Sequence, residues 1–125
     1  MDRHEVARWV AGYEQAWRSV GVSALADLFT ADAVYRQGPY QDPVIGLPAI
    51  GAMWEQERSG PDEVFTMSSE IVAVEDQTAV VRVEVAYGRP TTDEWRDLWL
   101  IRFATDGRCE EFEEWPFAPP RRVAS

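Results

Sequence analysis

The chain contains no lysine; all twelve of its basic residues are arginine. A GC-rich coding bias explains this more simply than a need for guanidinium forks. It has one cysteine, Cys109, so no intramolecular disulfide can form, and a cytoplasmic location is the expectation. It has one histidine, His4, so no His or Cys spacing supports a metal site. No apolar run approaches the roughly 18 residues that a membrane span needs. The start, Met1-Asp2-Arg3-His4-Glu5, is charged and runs straight into an amphipathic pattern, unlike a signal peptide. Positive charge is scarce: 22 acidic residues against 12 basic give a net charge of −10. Such a surface repels nucleic acid and anionic membranes, so neither is an expected partner. There is no Gly-rich phosphate loop and no Gly-x-Ser-x-Gly elbow, and no cofactor is expected.

What is present fits one soluble domain spanning residues 1–125, with its core at about 4–118 and a frayed tail at 119–125. Hydrophobic residues make up 46% of the chain, an ordinary globular share. Val6, Trp9, Val10, Tyr13, Trp17 and Val20 recur at helical spacing, and Gly21 ends that helix. A short second helix carries Leu25, Leu28 and Phe29, with Ser23 as its expected cap. After the turn Phe29-Thr30-Ala31-Asp32-Ala33 comes a brief strand, Val34 to Gln37, and then a loop containing Gly38, Pro39 and Pro43. Pro48 opens a third helix with Ile50, Met53 and Trp54 inward, and Ser59-Gly60-Pro61-Asp62 stops it.

Beyond Asp62 the apolar period changes from near 3.6 to 2. Phe65, Met67, Ser69, Ile71 and Ala73 alternate along one strand. Thr78 to Tyr87, Glu94 to Ala104 and Cys109 to Phe117 form three more. Asp106-Gly107 reads as a two-residue hairpin turn. That turn pairs Thr105 with Arg108, and hence Trp99 with Glu114, Ile101 with Phe112 and Asp97 with Pro116, all on one face. The other face holds Leu98, Leu100, Trp115 and Phe117, too apolar for bare solvent, and is expected to pair two copies as a homodimer. A slip of one residue would exchange the two faces.

The helix order, the Phe29-Thr30-Ala31-Asp32-Ala33 junction, Gly46-Leu47-Pro48-Ala49-Ile50 and the segment from Asp97 to Trp115 together resemble the SnoaL-like branch of the nuclear-transport-factor-2-like superfamily. The resemblance covers about residues 4–118. It implies an α+β cone-shaped roll of the cystatin-like kind: three N-terminal helices packed in a curled, mainly antiparallel sheet, with a deep pocket and often a dimer through the outer sheet face. Function varies widely on this fold. At the places where ketosteroid isomerases of the superfamily carry a tyrosine, an aspartate base and a second acid, this chain has Trp9, Gln37 or Gly38, and Trp99. The paired histidines of its dehydratases are absent. The carboxylates of its polyketide cyclases and epoxide hydrolases find counterparts in Asp97 and Glu114, with Arg82 as a bridging cation only if it faces them. The alternation of Arg82 and Glu84 with Val81, Val83 and Val85 argues that it does not.

Asp97 and Glu114 are therefore the expected catalytic pair. Two neighbouring carboxylates beside aromatic rings repel each other and resist ionisation, which suits acid/base work. Paired with arginines or placed at a wet mouth, they would be mere surface charge. Trp9, Tyr13, Trp17, Tyr35, Trp54, Trp99 and Phe112 are the expected ligand-binding residues, for a small apolar or cyclic molecule. Each is equally at home in a core. No metal is expected. Two further readings remain open: a non-catalytic ligand-binding or sensor module, and a structural dimer with a filled core.

Overall fold

The computed structural model describes residues 1–58 and 63–120. The expected stop of the third helix at 59–62 and the end of the tail at 121–125 lie outside the described residues. Helix α1 spans Arg3–Arg18 and begins where the Asp2 carboxylate accepts the Glu5 backbone N–H at 2.8 Å. Its buried stripe is Val6, Trp9, Val10, Tyr13 and Ala16. Val20 lies past the end of the helix and is 78% exposed, so it does not extend the stripe. Helix α2 is a single turn, Leu25–Leu28. Ala24 precedes it with no side-chain cap, so Ser23 does not play the expected part.

Strand β1 runs over Phe29–Arg36, starting earlier than expected because Phe29 itself pairs with Cys109. Val44–Ile45 forms a second, two-residue strand, β2, paired with Val34 and Tyr35. Gly46 then takes φ +90°, a value glycine adopts without steric cost, and turns the chain into helix α3, Leu47–Glu57. Pro48 sits in its first turn, where a missing N–H costs nothing. Four long strands follow: β3 (Phe65–Glu75), β4 (Thr78–Tyr87), β5 (Asp93–Phe103) and β6 (Cys109–Phe117).

The six strands form one sheet in the order β2-β1-β6-β5-β4-β3, curled and unclosed, with the helices packed against it. Every pairing is antiparallel except β1 with β6. That exception makes the last strand a neighbour of the first long one. On the helix side lies a core built from α1, β1, α3 and the inward residues of β4 to β6, including Phe29, Tyr35, Trp54, Val81, Ile101 and Phe112.

Two details of register carry consequences. In β3 the pairing shifts between Ile71 and Ala73. Ala73 therefore lies opposite Val80, away from the core, and Val74 takes the inward place opposite Ala79. A simple alternation put Ala73 inward; the bulge reverses it. In the last hairpin the pairs Trp99–Glu114, Ile101–Phe112 and Asp97–Pro116 are those expected from the sequence. The turn that produces them is different. Ala104 N–H donates to Arg108 O at 2.8 Å around the three residues Thr105-Asp106-Gly107, with Gly107 at φ +89°. A one-residue shift between Arg102 and Phe103 then restores the register.

Candidate functional site

Alternation along β5 and β6 turns Asp97, Trp99 and Glu114 toward the helices. Trp99 stands opposite Glu114, so Asp97 lies one step along the same face, diagonal to it. Above them is a cleft of about 600 Å³, bounded by α1, β1, the end of α3 and strands β3 to β6. Asp97 and Glu114 both line it, together with the rings of Tyr13, Trp17, Tyr35 and Trp99. Met53, Met67 and Val85 supply apolar wall, and Gln37, Glu57, Glu63, Tyr87, Asp93 and Trp95 also border it.

The two carboxylates sit in unequal surroundings. Burial pushes Asp97 up to about 6, while the nearby Trp99 indole pulls the other way. Neither the Asp97 Oδ1 nor the Trp99 Nε1 completes a well-formed hydrogen bond among the described residues. Glu114 rises further, to about 8, first because its carboxyl is desolvated and then because Asp97 and Glu57 lie within electrostatic reach. The phenols of Tyr13 and Tyr35 meet at 2.7 Å in the core. Burial and the Glu114 charge hold both well above the ordinary tyrosine range, so they remain neutral.

Aromatic packing fixes the floor. Tyr13 lies 4.5 Å from Trp99 and 5.0 Å from Trp54, centroid to centroid, and Tyr35 lies 4.6 Å from Phe112. Arg58 secures the wall that carries Trp17. Its guanidinium donates to Ser19 O at 2.7 Å and Gly21 O at 2.9 Å, closing off the C-terminal end of α1.

The profile of the SnoaL-like domain matches residues 6–112 of this chain. The chain belongs to the SnoaL-like family. Among curated protein sequences, none matches it. Its likeness to solved structures is a likeness of fold, at low identity. An NTF-2 like protein of unknown function from Burkholderia xenovorans LB400 superposes with a TM-score of 0.72 at 13% identity, over 96% of this chain and 88% of the other. A steroid delta-isomerase from Pseudomonas aeruginosa gives 0.63 at 23% identity, over 90% and 80%. The epoxide hydrolase/cyclase-like enzyme SalBIII, of pyran ring formation in the polyether salinomycin, gives 0.71 at 15% identity, over 93% of each chain.

Within this SnoaL-like domain the residues singled out from sequence divide into two groups. Asp97, Glu114, Tyr13, Trp17, Tyr35 and Trp99 border the cleft. Trp9, Trp54 and Phe112 do not. They lie beneath it, each no more than 6% exposed. Trp9 is turned into the core by its own hydrogen bond, Nε1–H to Leu28 O at 2.9 Å. The helix-1 phenol at the cleft is Tyr13, one turn after Trp9, the position the family resemblance suggested. Arg82 pairs with Glu70 at 3.4 Å on the outer face, so it does not bridge Asp97 and Glu114. Arg36 points outward as well, toward Glu113. The Cys109 thiol is buried and pushed far up by desolvation, which denies it a nucleophile's role. Among the described residues no group of three or more potential metal ligands comes together, and no helix is long and apolar enough to cross a membrane.

Sequence reasoning missed several lining residues. Trp95 and Tyr87 share the parity of Asp97 and of Val81, so alternation alone could have placed them. Gln37 shares the parity of Tyr35, and Glu57 continues the spacing of Ile50, Met53 and Trp54, so periodicity could have placed them too; Glu63 carries no such signal.

Proposed function

We propose that the cleft is the active site of a cofactor-free acid/base enzyme. Its substrate is a small, largely apolar molecule, cyclic or able to cyclise, and its reaction is a proton transfer of the isomerase, cyclase or hydrolase type. The observation that carries this reading is the pairing of Asp97 and Glu114 on one wall, in surroundings that separate their protonation. At pH 7 Asp97 is mostly ionised and Glu114 mostly protonated. The Asp97 carboxylate accepts a proton from a substrate C–H or O–H. The Glu114 carboxyl gives one to the oxygen where negative charge builds. Exchange with solvent at the open cleft returns both groups to their starting states. The aromatic walls hold a flat ring in place.

The outer face of β5 and β6 supports a homodimer. Leu100, Trp115 and Phe117 are 36%, 36% and 58% exposed there, on one continuous face with Leu98.

The decisive experiment is a carbon-13 titration of the side-chain carboxyls, assigned with Asp97→Asn and Glu114→Gln. One carboxyl titrating near pH 6 and another near pH 8 is the expected result. If both titrate below about pH 5.5, the acid/base reading loses its basis and a plain binding protein takes its place.

A further inference from the structure

Asp97 and Trp99 are two residues apart on β5, so their side chains stand next to each other on the helix side of the sheet. Each ends in a buried polar atom that has no hydrogen-bond partner among the described residues. One is an acceptor, the Asp97 Oδ1, and the other a donor, the Trp99 Nε1–H. Such groups are costly to leave unmade inside a protein. The indole has little room to turn elsewhere. Its ring lies 4.5 Å from Tyr13 and 5.1 Å from Phe112, with Trp9 edge-on at 6.5 Å, and only 3% of Trp99 is exposed. Those neighbours are already committed: Trp9 donates to Leu28 O, and the Tyr13 hydroxyl bonds that of Tyr35. The indole is also close enough to hold the Asp97 carboxyl below the point where burial alone would put it.

We propose that Trp99 is a positioning residue for the Asp97 base: its Nε1–H closes on Oδ1 when the carboxylate ionises, and so leaves Oδ2 as the one oxygen aimed into the cleft. This deepens the acid/base reading and rests on it. A hydrogen bond to an ionised acceptor is shorter and stronger than one to a neutral acceptor, so the contact tightens as the charge appears. A carboxylate anchored by one oxygen cannot swing, and the other oxygen keeps the direction that proton transfer needs. The ionisable groups that feel the Asp97 charge are Glu114 on β6, Tyr13 on α1 and Tyr87 on β4. None of them is a cation, and none bonds Oδ1 in place of the indole. Glu114 keeps its proton and its separate part as the acid.

The test follows two signals of the full chain through one pH titration by magnetic resonance: the Asp97 carboxyl carbon and the Trp99 indole N–H. The indole proton is expected to move downfield with the midpoint of the carboxyl itself. The indole proton of Trp54, also buried without a partner but not bordering the cleft, should not follow that midpoint. Placing benzothienylalanine at position 99 exchanges the N–H for sulfur and keeps the shape of the ring, so the packing is retained. Loss of the donor should raise the Asp97 midpoint by about one pH unit. At pH 8, where Asp97 is mostly ionised with either ring, the substituted chain should also open the ring of 5-nitrobenzisoxazole about threefold more slowly or worse. A stronger base would speed that reaction, so a fall reports lost aim. An indole proton that ignores the Asp97 midpoint, a midpoint that stays or falls on substitution, or an unchanged rate at pH 8 overturns the proposal. A carboxyl near pH 6 beside an indole that does not follow it removes the positioning role and leaves the acid/base reading standing. An Asp97 that titrates below about pH 5.5 removes both.

Discussion

The hydroxyls of Tyr13 and Tyr35 meet at 2.7 Å, tying helix α1 to strand β1 beneath the two carboxylates. Only one of the two oxygens donates in this bond, and no water reaches either residue easily, since both are at most 6% exposed. Replacing Tyr13 or Tyr35 by Phe leaves the other hydroxyl buried without its partner, at a cost of about 1–2 kcal/mol. Removing both leaves nothing unsatisfied. The double variant should therefore lose less than the sum of the single ones, measured by urea denaturation midpoints. Strict additivity would mean that the two phenols do not act as a pair.

Stability should fall as pH rises through the neutral range. Asp97 and Glu114 titrate near 3.8 and 4.5 in an unfolded chain, but at about 6 and about 8 in the folded one. Between these limits the folded state holds more protons than the unfolded state, so the derivative of unfolding free energy with pH is negative. The melting temperature is expected to decline from about pH 5 to about pH 8.5. Glu114→Gln, which cannot ionise, should flatten the upper part of that decline. A slope unchanged by this substitution would show that Glu114 is not the buried acid.

A desolvated, ionised Asp97 should act as a base on an unnatural substrate that merely fits. In the ring-opening of 5-nitrobenzisoxazole a carboxylate removes one carbon-bound proton while the N–O bond breaks. The chain is expected to accelerate this reaction, with a rate that rises through about pH 6. Asp97→Asn should slow it by at least about tenfold, the usual scale for losing a positioned base. Equal rates for the two proteins would place the base elsewhere.

The outer face gives a prediction about assembly. Leu100→Glu together with Trp115→Ser alters only side chains that point away from the helices. If that face joins two copies, sedimentation should show a dimer for the unaltered chain and a folded monomer for the variant. A monomeric unaltered chain would refute the interface.

The faces of β5 and β6 were legible because alternation holds from Asp97 to Ile101 and from Phe112 to Trp115, and a glycine marks the turn. The legibility was partly fortunate. The three-residue turn and the shift near Phe103 offset each other, so a wrong turn type still led to the right pairs. No second error cancelled the bulge in β3, and Ala73 was misplaced. The aromatic stripe of α1 was visible as a stripe, but periodicity does not say which rings touch the cleft and which lie below it. Trp9 and Tyr13 are one turn apart and differ in that respect because Trp9 finds a carbonyl on α2 while Tyr13 finds Tyr35. The full set of carboxylates bordering the cleft was not visible as one group, for another reason. Its members come from α3, β5, β6 and the segments before β3 and at the start of β5, which only tertiary structure brings together.

The parallel pairing of β1 with β6 also governs timing. Phe29 and Tyr35 find their strand partners in Cys109 and Phe112, some 80 residues later in the chain. During synthesis α1 and β1 emerge long before the strand that covers them. A ribosome-bound chain that has not yet released β6 therefore exposes the aromatic floor of its own cleft and an unpaired edge of β1. Until β6 arrives, this half of the molecule carries uncovered apolar surface beside an unpaired strand edge.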